Sequence, residues 1–285
     1  MTEVLLTGLK IGESARWHDG RLWLSNWGAQ QILAVDLDGN AQVMATVPTT
    51  MPFSIDWLPD GRLLVVAGPE GRLLRQEPDG SLVDHADLTV LDANLNELVV
   101  DGRGRIYVNG GTNFHPDEGE APGFVALVTP DGAVRRVAEG LAFPNGMAVT
   151  PDEQTLIVSE SFAGMLTAFD IGPDGSLSNR RGWAPLPGDG IVLDTEGAVW
   201  TPGWTEDGPA CLRVAEGGEL LDTVPLDRAG FACTLGGEDG RTLFVLAADW
   251  RMQGGFDDNI KRLTTGPETG QVLIAHASAA HAGHP

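Results

Sequence analysis

One pattern recurs six times along the chain and limits the folds open to it. In each copy a short apolar segment is followed by a turn, most often Asp-Gly, and then by a second apolar segment. The equivalent turn positions lie 41, 43, 49, 44 and 43 residues apart, and they are Gly20, Gly61, Gly104, Glu153, Gly197 and Gly240. A spacing this regular is typical of proteins built from repeated supersecondary units.

A second series of turns lies between the first, and it includes Gly39, Gly80, Gly132, Gly175, Gly218 and, more weakly, Gly270. Gly and Asp suit tight hairpins because these turns need a positive φ, which other residues adopt at a cost. Two hairpins in each period of about 44 residues correspond to a four-stranded blade. The sequence therefore predicts an all-β fold, a six-bladed β-propeller of four-stranded antiparallel blades.

We expect this propeller to form a single domain over residues 1–285, ending in a short, loosely held, irregular tail rich in Ala, Gly and His over residues 275–285. The alternative is a β-sandwich in which the turn spacing arises by chance, although sandwiches do not usually keep two series of turns at such regular intervals.

The charge balance narrows the range of partners. Forty acidic residues against 18 Lys and Arg give a formal charge of −22, which repels phosphate backbones and anionic lipid. No apolar run approaches 18 residues, no basic leader precedes the first apolar segment, and two cysteines give no disulfide framework. These features predict a cytoplasmic protein without nucleic-acid or membrane partners, either a monomer or a weak homo-oligomer.

The repeat also predicts where chemistry is placed. In a propeller the first strand of each blade lines the central channel, so residues seven or eight positions before each first-series turn should face one another. They are Glu13, Phe53 or Ser54, Asn96 or Glu97, Asn145, Asp189, and Ala232 or Cys233. Converging carboxylate and amide oxygens suit a hard divalent cation. The alternative is that these polar side chains only hold ordered water. Cys233 is predicted to be a small core or channel-lining residue and not a nucleophile.

Three short motifs resemble those of a known family. They are Gly-Glu-Ser-Ala-Arg-Trp at 12–17, Phe-Pro-Asn-Gly-Met-Ala at 143–148 and Gly-Asp-Gly-Ile at 188–191, in the first, fourth and fifth repeats. In order and register they resemble the metal motifs of the senescence marker protein, gluconolactonase and luciferin-regenerating enzyme family of six-bladed propellers, and the resemblance covers essentially the whole chain.

This resemblance implies that Glu13, Asn145 and Asp189 bind one divalent metal, with Ca²⁺ favoured and Mg²⁺, Mn²⁺, Zn²⁺ or Fe²⁺ as alternatives. It also implies that Asn96 contacts the substrate. Three positions depart from the family pattern: Gly188 replaces a Pro, Glu97 replaces an Asp, and Asn94 stands where several sugar lactonases carry a sugar-binding Arg. The change at Asn94 weakens the case for a sugar-acid substrate and leaves the metal motifs intact.

A cation with open positions polarises an ester or lactone carbonyl and stabilises the oxyanion that forms when water attacks. A neighbouring carboxylate then accepts the proton of the water. Asp189 is the first choice for this catalytic role, with Glu97 and Glu13 as alternatives. The sequence thus predicts a metal-dependent lactone hydrolase, acting on a small lactone or ester.

Large aromatic residues in the loops at the same face predict a pocket that is more apolar than a sugar needs. They are Trp27, Phe53, Phe114, Phe143, Trp204 and Trp250. We expect substrate contacts from Phe53, Phe114, Phe143 and Trp204, beside Asn94, Asn96 and Glu97. Two other functions stay open: a non-catalytic propeller that binds Ca²⁺ or a partner protein, and a different reaction, such as hydration, at the same site.

Overall fold

In the part of the chain that the structure describes, the strands form six antiparallel sheets, and their order confirms the predicted six-bladed β-propeller. The computed structural model describes residues 2–111, 122–251 and 255–285. These residues form two compact units. The first unit contains Met1–Pro48, Asp189–Ala215 and Leu220–His281, and the second contains Thr49–Gly188, Glu216–Glu219 and Ala282–Pro285. The prediction of one domain over residues 1–285 stays a prediction.

The first sheet of the first unit consists of β2 (Gly12–His18), β3 (Arg21–Asn26), β4 (Gln31–Val35) and β5 (Ala41–Thr46). A second contains β18 (Val192–Asp194), β19 (Val199–Thr205), β20 (Gly208–Val214) and β21 (Leu220–Pro225), and β25 (His281–Ala282) pairs with β18 as a fifth strand. The third contains β22 (Ala229–Gly236), β23 (Thr242–Ala248), β24 (Gly270–His276) and β1 (Glu3–Leu9).

The second unit has three sheets, each in simple chain order. They consist of β6 (Phe53–Trp57), β7 (Leu63–Ala67), β8 (Arg72–Gln76) and β9 (Leu82–Asp87); β10 (Leu95–Val100), β11 (Ile106–Gly110), β12 (Gly123–Val128) and β13 (Val134–Leu141); and β14 (Pro144–Val149), β15 (Thr155–Glu160), β16 (Met165–Ile171) and β17 (Leu177–Ala184). Two short 3₁₀ turns at Trp27–Ala29 and Thr89–Leu91 lie in connections between strands.

The Asp-Gly turns behave as their sequence predicts. At the turn between β10 and β11, Gly104 has a φ of 74°, and the Asp101 carboxylate accepts hydrogen bonds from the backbone N–H groups of Arg103 and Arg105. The guanidinium of Arg105 also donates to Asp101 over 2.5 Å. The carboxylate thus fixes the turn from inside while Gly provides the left-handed backbone conformation.

The last sheet differs from the expected repeat. Thr269-Gly270 is not a hairpin turn, because β24 begins at Gly270 and the α-helix α1 (Phe256–Thr265) lies between β23 and β24. The fourth strand of this sheet is β1, which comes from the start of the chain and pairs with β24. Strand pairing between the two ends of the chain has no local sequence signal, so the repeat alone could not indicate it.

The prediction of a loosely held tail is wrong. In the first unit the Thr195 N–H donates to the Ala280 carbonyl over 2.8 Å, and in the second unit Val149 and His284 exchange two backbone hydrogen bonds of 2.7 and 2.9 Å. Ala277 and Ala279 are buried. The small side chains of this segment let its backbone approach and pair with existing strands, which explains why a composition typical of a loose end is ordered here.

Apolar side chains between adjacent sheets form the core of each unit. In the second unit Leu64, Val66, Leu98 and Phe124 belong to one fully buried cluster. In the first unit, α1 packs through Leu263 onto a cluster with Ile11 and Phe231. Within the described residues no helix is long and apolar enough to cross a membrane.

Candidate functional site

Three of the predicted oxygen donors occupy the second position of the first strand in their sheets. They are Glu13 in β2, Asn96 in β10 and Asn145 in β14. Asp189 instead precedes β18, which is the shortest of the first strands with 3 residues. Glu13 and Asn96 are buried, whereas Asn145 and Asp189 are half-buried. Glu13 and Asp189 belong to the first unit, and Asn96 and Asn145 to the second.

The strand pairing is irregular at each of these three strand positions. The register of β2 against β3 shifts between residues 13 and 16, that of β10 against β11 between 95 and 98, and that of β14 against β15 between 144 and 147. In contrast, β6 pairs with β7 without any shift. A bulge re-aims the side chains around it and is common beside functional sites. A repeat-based alignment finds the positions but not the bulges, because it assumes the same regular ladder in every copy.

In the second unit, side-chain amides connect the starts of β10 and β14. The Asn96 Nδ2 donates to the Pro144 carbonyl over 3.2 Å, and the Asn109 Nδ2 donates to the Asn145 carbonyl over 2.6 Å. The Asn109 Oδ1 accepts the Glu97 N–H at 3.1 Å. The structure therefore brings Asn96, Glu97 and Asn145 together around Asn109, a residue that the sequence analysis missed. Its signal is a single polar residue in the apolar strand β11, at its fourth position.

Asn94 and Glu97 flank this network. The Asn94 carbonyl accepts the Gly111 N–H at 2.9 Å, and the Asn94 side chain is half-buried. Glu97 is buried, and its Oε1 accepts the N–H of Leu98 at 3.0 Å. Both residues thus lie beside Asn96, as predicted, and whether they touch a substrate stays a prediction.

In the first unit the Asp189 segment is held through its backbone. The Asp189 N–H donates to the Thr201 Oγ1 over 3.2 Å, and the Gly190 N–H donates to the Phe231 carbonyl over 2.8 Å. A Cβ on Gly190 would lie 2.8 Å from the Ala232 Cα, closer than real Cβ atoms come. This close approach explains the glycine after Asp189, and Thr201 is a second supporting residue that the sequence analysis did not single out.

Cys233 lies beneath the same segment as a neutral thiol. Its Sγ donates to the carbonyls of Trp200 and Gly190 over 3.3 and 3.7 Å. Burial raises the pKa of the Cys233 thiol well above its ordinary value, and the neighbouring Cys211 and Asp189 raise it further. A thiol that stays protonated is neither a nucleophile nor a good metal ligand. The prediction that Cys233 is a buried packing residue is confirmed.

The predicted aromatic wall divides into buried and accessible members. Phe53 is fully buried, so its ring offers no surface to a ligand in this conformation. Trp204 is 47% exposed, and half-buried Phe143 packs against Phe162 with ring centroids 4.4 Å apart. Phe114 lies outside the described residues. Trp27 and Trp250 pack at the edge of the cluster that contains Phe231.

The donor types of the predicted metal ligands fit a hard cation. Glu13 and Asp189 provide carboxylate oxygens and Asn145 an amide oxygen, the ligand types that Ca²⁺ and Mg²⁺ prefer. Glu13 is buried, and its Oε2 accepts the Ser14 N–H at 3.3 Å. Over residues 2–111, 122–251 and 255–285, no three His, Cys, Asp or Glu side chains cluster closely enough to bind a metal. The predicted ligands are two carboxylates and one amide, so they do not form a group of three His, Cys, Asp or Glu side chains.

Comparisons with known proteins agree with this fold. The chain is 25% identical over 268 residues to a gluconolactonase of Zymomonas mobilis, covering 85% of this chain and 60% of the relative. Among solved structures, a luciferin-regenerating enzyme superposes with a TM-score of 0.81 at 18% identity, over 99% of this chain and 98% of the other. Regucalcin from Agrobacterium tumefaciens, described as a calcium-binding protein, superposes with a TM-score of 0.77 at 19% identity, over 99% and 95%. At these identities the structural likeness shows the fold alone.

A family model covers most of the sequence. The model of the SMP-30/Gluconolactonase/LRE-like region matches residues 11–249, which include all three predicted metal motifs. The match begins just before Glu13 and extends past Asp189. The chain therefore belongs to the SMP-30/gluconolactonase/LRE-like family.

Proposed function

We propose that this protein is a divalent-metal-dependent hydrolase of lactones or related small esters. The observation that supports this most directly is the coincidence of two independent features. The family's metal motifs place Glu13 and Asn145 at the starts of β2 and β14, and the strand register is interrupted at both positions. Bulges are over-represented beside active sites and re-aim the side chains around them. The similarity to a gluconolactonase supports the reaction class, although the chain spans only about 60% of that relative's length.

In this proposal Glu13, Asn145 and Asp189 hold one divalent cation, with Ca²⁺ the best match to an all-oxygen donor set. When bound, such a cation polarises a lactone carbonyl and stabilises negative charge on its oxygen. The chain's own contribution is to hold these three side chains in place. Backbone hydrogen bonds to Thr201 and Phe231 fix the segment that carries Asp189, and the amides of Asn96 and Asn109 fix the segment that carries Asn145.

Asp189 is proposed to accept the proton of the attacking water. Asp189 is half-buried as a residue, with its Oδ1 buried, whereas Glu13 and Glu97 are buried residues. This difference in accessibility favours Asp189, because a general base must reach both the water and the reacting carbonyl.

The proposed substrate is more apolar than a sugar lactone. Asn94 cannot form the charged contact that Arg provides, and Phe143, Phe162 and Trp204 offer accessible aromatic surface. Asn96 and Glu97 remain the proposed polar contacts, while the burial of Phe53 leaves it a supporting position rather than a contact.

Calcium binding without catalysis is the second candidate. The regucalcin of Agrobacterium tumefaciens, which shares this fold, is described as a calcium-binding protein. A metal site in that role would bind Ca²⁺ with the same three side chains and hydrolyse no lactone.

A lactone panel decides between the two candidates. The full chain is treated with EDTA, dialysed, and assayed in a pH-stat against sugar lactones and aryl-substituted lactones, with and without added Ca²⁺ or Mn²⁺. We expect hydrolysis that chelation abolishes and metal restores, with higher kcat/KM on the aryl-substituted lactones. Asp189→Asn should abolish turnover, while Asp38→Asn, at an exposed turn in the same unit, should leave it unchanged.

Three results would count against these proposals. Activity that survives thorough chelation would contradict the metal mechanism. Metal binding without hydrolysis of any lactone would favour the calcium-binding function. Best turnover on a sugar lactone would overturn the proposed apolar substrate and leave the reaction class standing.

A further inference from the structure

We infer that Asn109 is a positioning residue, which holds the backbone of Asn145 so that the Asn145 side chain is oriented for metal binding. The inference rests on the proposed function, since it concerns the proposed ligand Asn145. Asn109 itself is fully buried in β11 of the neighbouring sheet. Its role would be carried through Asn145 and not by direct contact with a metal or substrate.

The hydrogen bonds of Asn109 extend to two different strands. Its Nδ2 donates to the Asn145 carbonyl over 2.6 Å, across 36 residues of sequence, and its Oδ1 accepts the Glu97 N–H at 3.1 Å. One amide thus ties the start of β14 to the start of β10. The Asn amide provides its donor and its acceptor on two separate atoms, whereas an ionised Asp has no donor and the single Ser oxygen would have to reach both partners.

The position of Asn145 explains why such support is needed. The ladder between β14 and β15 is irregular between residues 144 and 147, so Asn145 lies outside the regular cross-strand pairing. Phe143, just before this segment, has a φ of 56°, in the left-handed region that non-glycine residues rarely adopt. Strained backbone persists only where its surroundings hold it in place. Asn109 and Asn96 supply side-chain hydrogen bonds to the backbone of this segment.

The surroundings leave Asn109 little freedom to move. A Cβ on the next residue, Gly110, would lie 2.5 Å from the Asn94 carbonyl oxygen, so the end of β11 is pressed against the segment before β10. The Gly111 N–H donates to the same carbonyl over 2.9 Å. Because β11 is fixed at this point, the Asn109 amide is a rigid reference for the Asn145 backbone.

The test measures metal affinity directly, with Ca²⁺ alone as the probe. Isothermal titration calorimetry compares the EDTA-treated wild-type chain with Asn109→Ala, which removes both hydrogen bonds, and with Asn109→Asp, which keeps the acceptor for Glu97 but places an oxygen against the Asn145 carbonyl. We expect both variants to bind Ca²⁺ about 10 to 100 times more weakly, the loss typical of removing an outer-shell partner. Electron paramagnetic resonance of bound Mn²⁺ should show a broadened, altered signal.

Tyr107→Phe is the matched control. Tyr107 is also fully buried in β11, and its hydroxyl donates to the Gly175 carbonyl over 3.2 Å. The change removes one buried hydrogen bond from the same strand, two positions away, without touching Asn145. Ca²⁺ affinity should equal that of the wild type. Thermal unfolding of all four proteins shows whether the Asn109 variants fold, and Asn109→Asp serves if Asn109→Ala does not.

The possible results distinguish a failure of the positioning role of Asn109 from a failure of the proposed metal-dependent function. If a folded Asn109 variant binds Ca²⁺ as tightly as the wild type, the positioning role is overturned and the proposed function stays in place. A parallel loss in Tyr107→Phe would also overturn it, since the effect would then be general to β11. A wild-type chain that binds neither Ca²⁺ nor Mn²⁺ would overturn the metal site and, with it, the role of Asn109.

Discussion

The first strands of two sheets in the second unit, β6 and β14, occupy equivalent places in the repeat but are built differently. In β6 five consecutive residues pair with β7 in perfect register, from Phe53 opposite Ala67 to Trp57 opposite Leu63. In β14 the register breaks after Pro144 and resumes at Met147. The equivalent side chains are a buried Phe53 or Ser54 in one strand and the half-buried Asn145 in the other.

Under the proposed function, this difference lets one repeat serve stability in β6 and metal binding in β14. The regular strand aligns its side chains with the apolar core, and its polar Asp56 accepts the Val100 N–H at 2.7 Å and so joins β6 to β10. In the irregular strand the bulge disrupts the ladder locally, and Asn145 lies outside the regular alternation of side chains between the two faces of the sheet. Its backbone is then held by side chains, among them Asn109. Substitutions should therefore affect folding in β6 and metal binding in β14.

The largest expected effect is the loss of metal binding in Asn145→Ala. Removing a ligand should weaken Ca²⁺ binding by more than about 100-fold, beyond what loss of an outer-shell partner costs. The variant should stay folded, because the blades are held by sheet packing, and calorimetric titration with Ca²⁺ measures the change. The matched control is Ser54→Ala in β6, which should bind Ca²⁺ like the wild type. Equal losses in both variants would mean that the two strands do not differ as proposed.

The second effect is on folding, where a substitution in β6 should matter more than one in β14. Phe53→Ala in β6 removes a fully buried ring and should lower the free energy of unfolding by about 3–5 kcal/mol. Ca²⁺ affinity of the folded fraction should be unchanged. Phe162→Ala, which removes a ring that is 39% exposed, should cost far less. Urea unfolding measures both, and weaker Ca²⁺ binding in Phe53→Ala would show that β6 also contributes to the site.

The contrast between these strands also marks the limit of sequence-based prediction. The six repeats, the antiparallel blades and the start positions of Glu13, Asn96 and Asn145 follow from turn spacing, because Gly and Asp turns have strong local preferences. The pairing of β1 with β24 and the ordered tail depend on contacts between distant parts of the chain. Such contacts leave no trace in a local pattern.

The supporting residues of the site were hidden for a related reason. Asn109 and Thr201 lie in largely apolar strands, and their importance appears only when their partners, Asn145 and Asp189, are seen in space. Phe53 is fully buried in the regularly paired strand β6, and its predicted contact with a substrate stays a prediction.

A smaller effect is expected at Asp189, where two backbone hydrogen bonds hold the ligand segment and one remains when the other is removed. Thr201→Val keeps the shape of a fully buried side chain but removes the oxygen that accepts the Asp189 N–H. We expect Ca²⁺ binding to weaken about 3- to 10-fold, since one neutral hydrogen bond contributes about 1 kcal/mol. The Gly190 N–H to Phe231 hydrogen bond remains and limits the loss. An effect as large as that of Asn145→Ala would contradict this ranking and make Thr201 as important as a ligand.

The smallest effect tests whether an irregular strand is sufficient for function. The register of β22 also shifts, between Gly230 and Ala232, yet the equivalent positions are Ala232 or Cys233, whose thiol burial keeps protonated. Cys233→Ser should therefore leave Ca²⁺ affinity unchanged. Calorimetric titration checks this, and a clear loss of affinity would show that the thiol, and not only the oxygen donors, shapes the site.

The same thiol gives a pH dependence with a defined sign. Because burial raises the folded-state pKa of Cys233 above its ordinary value of 9.0, the folded protein keeps the proton where the unfolded chain loses it. The resulting stabilisation is fully present below about pH 9 and declines as the pH rises further. The free energy of unfolding of the wild type should thus fall more steeply between pH 8 and pH 10 than that of Cys233→Ser. Identical slopes would mean that the thiol ionises as readily in the folded protein as in the unfolded chain.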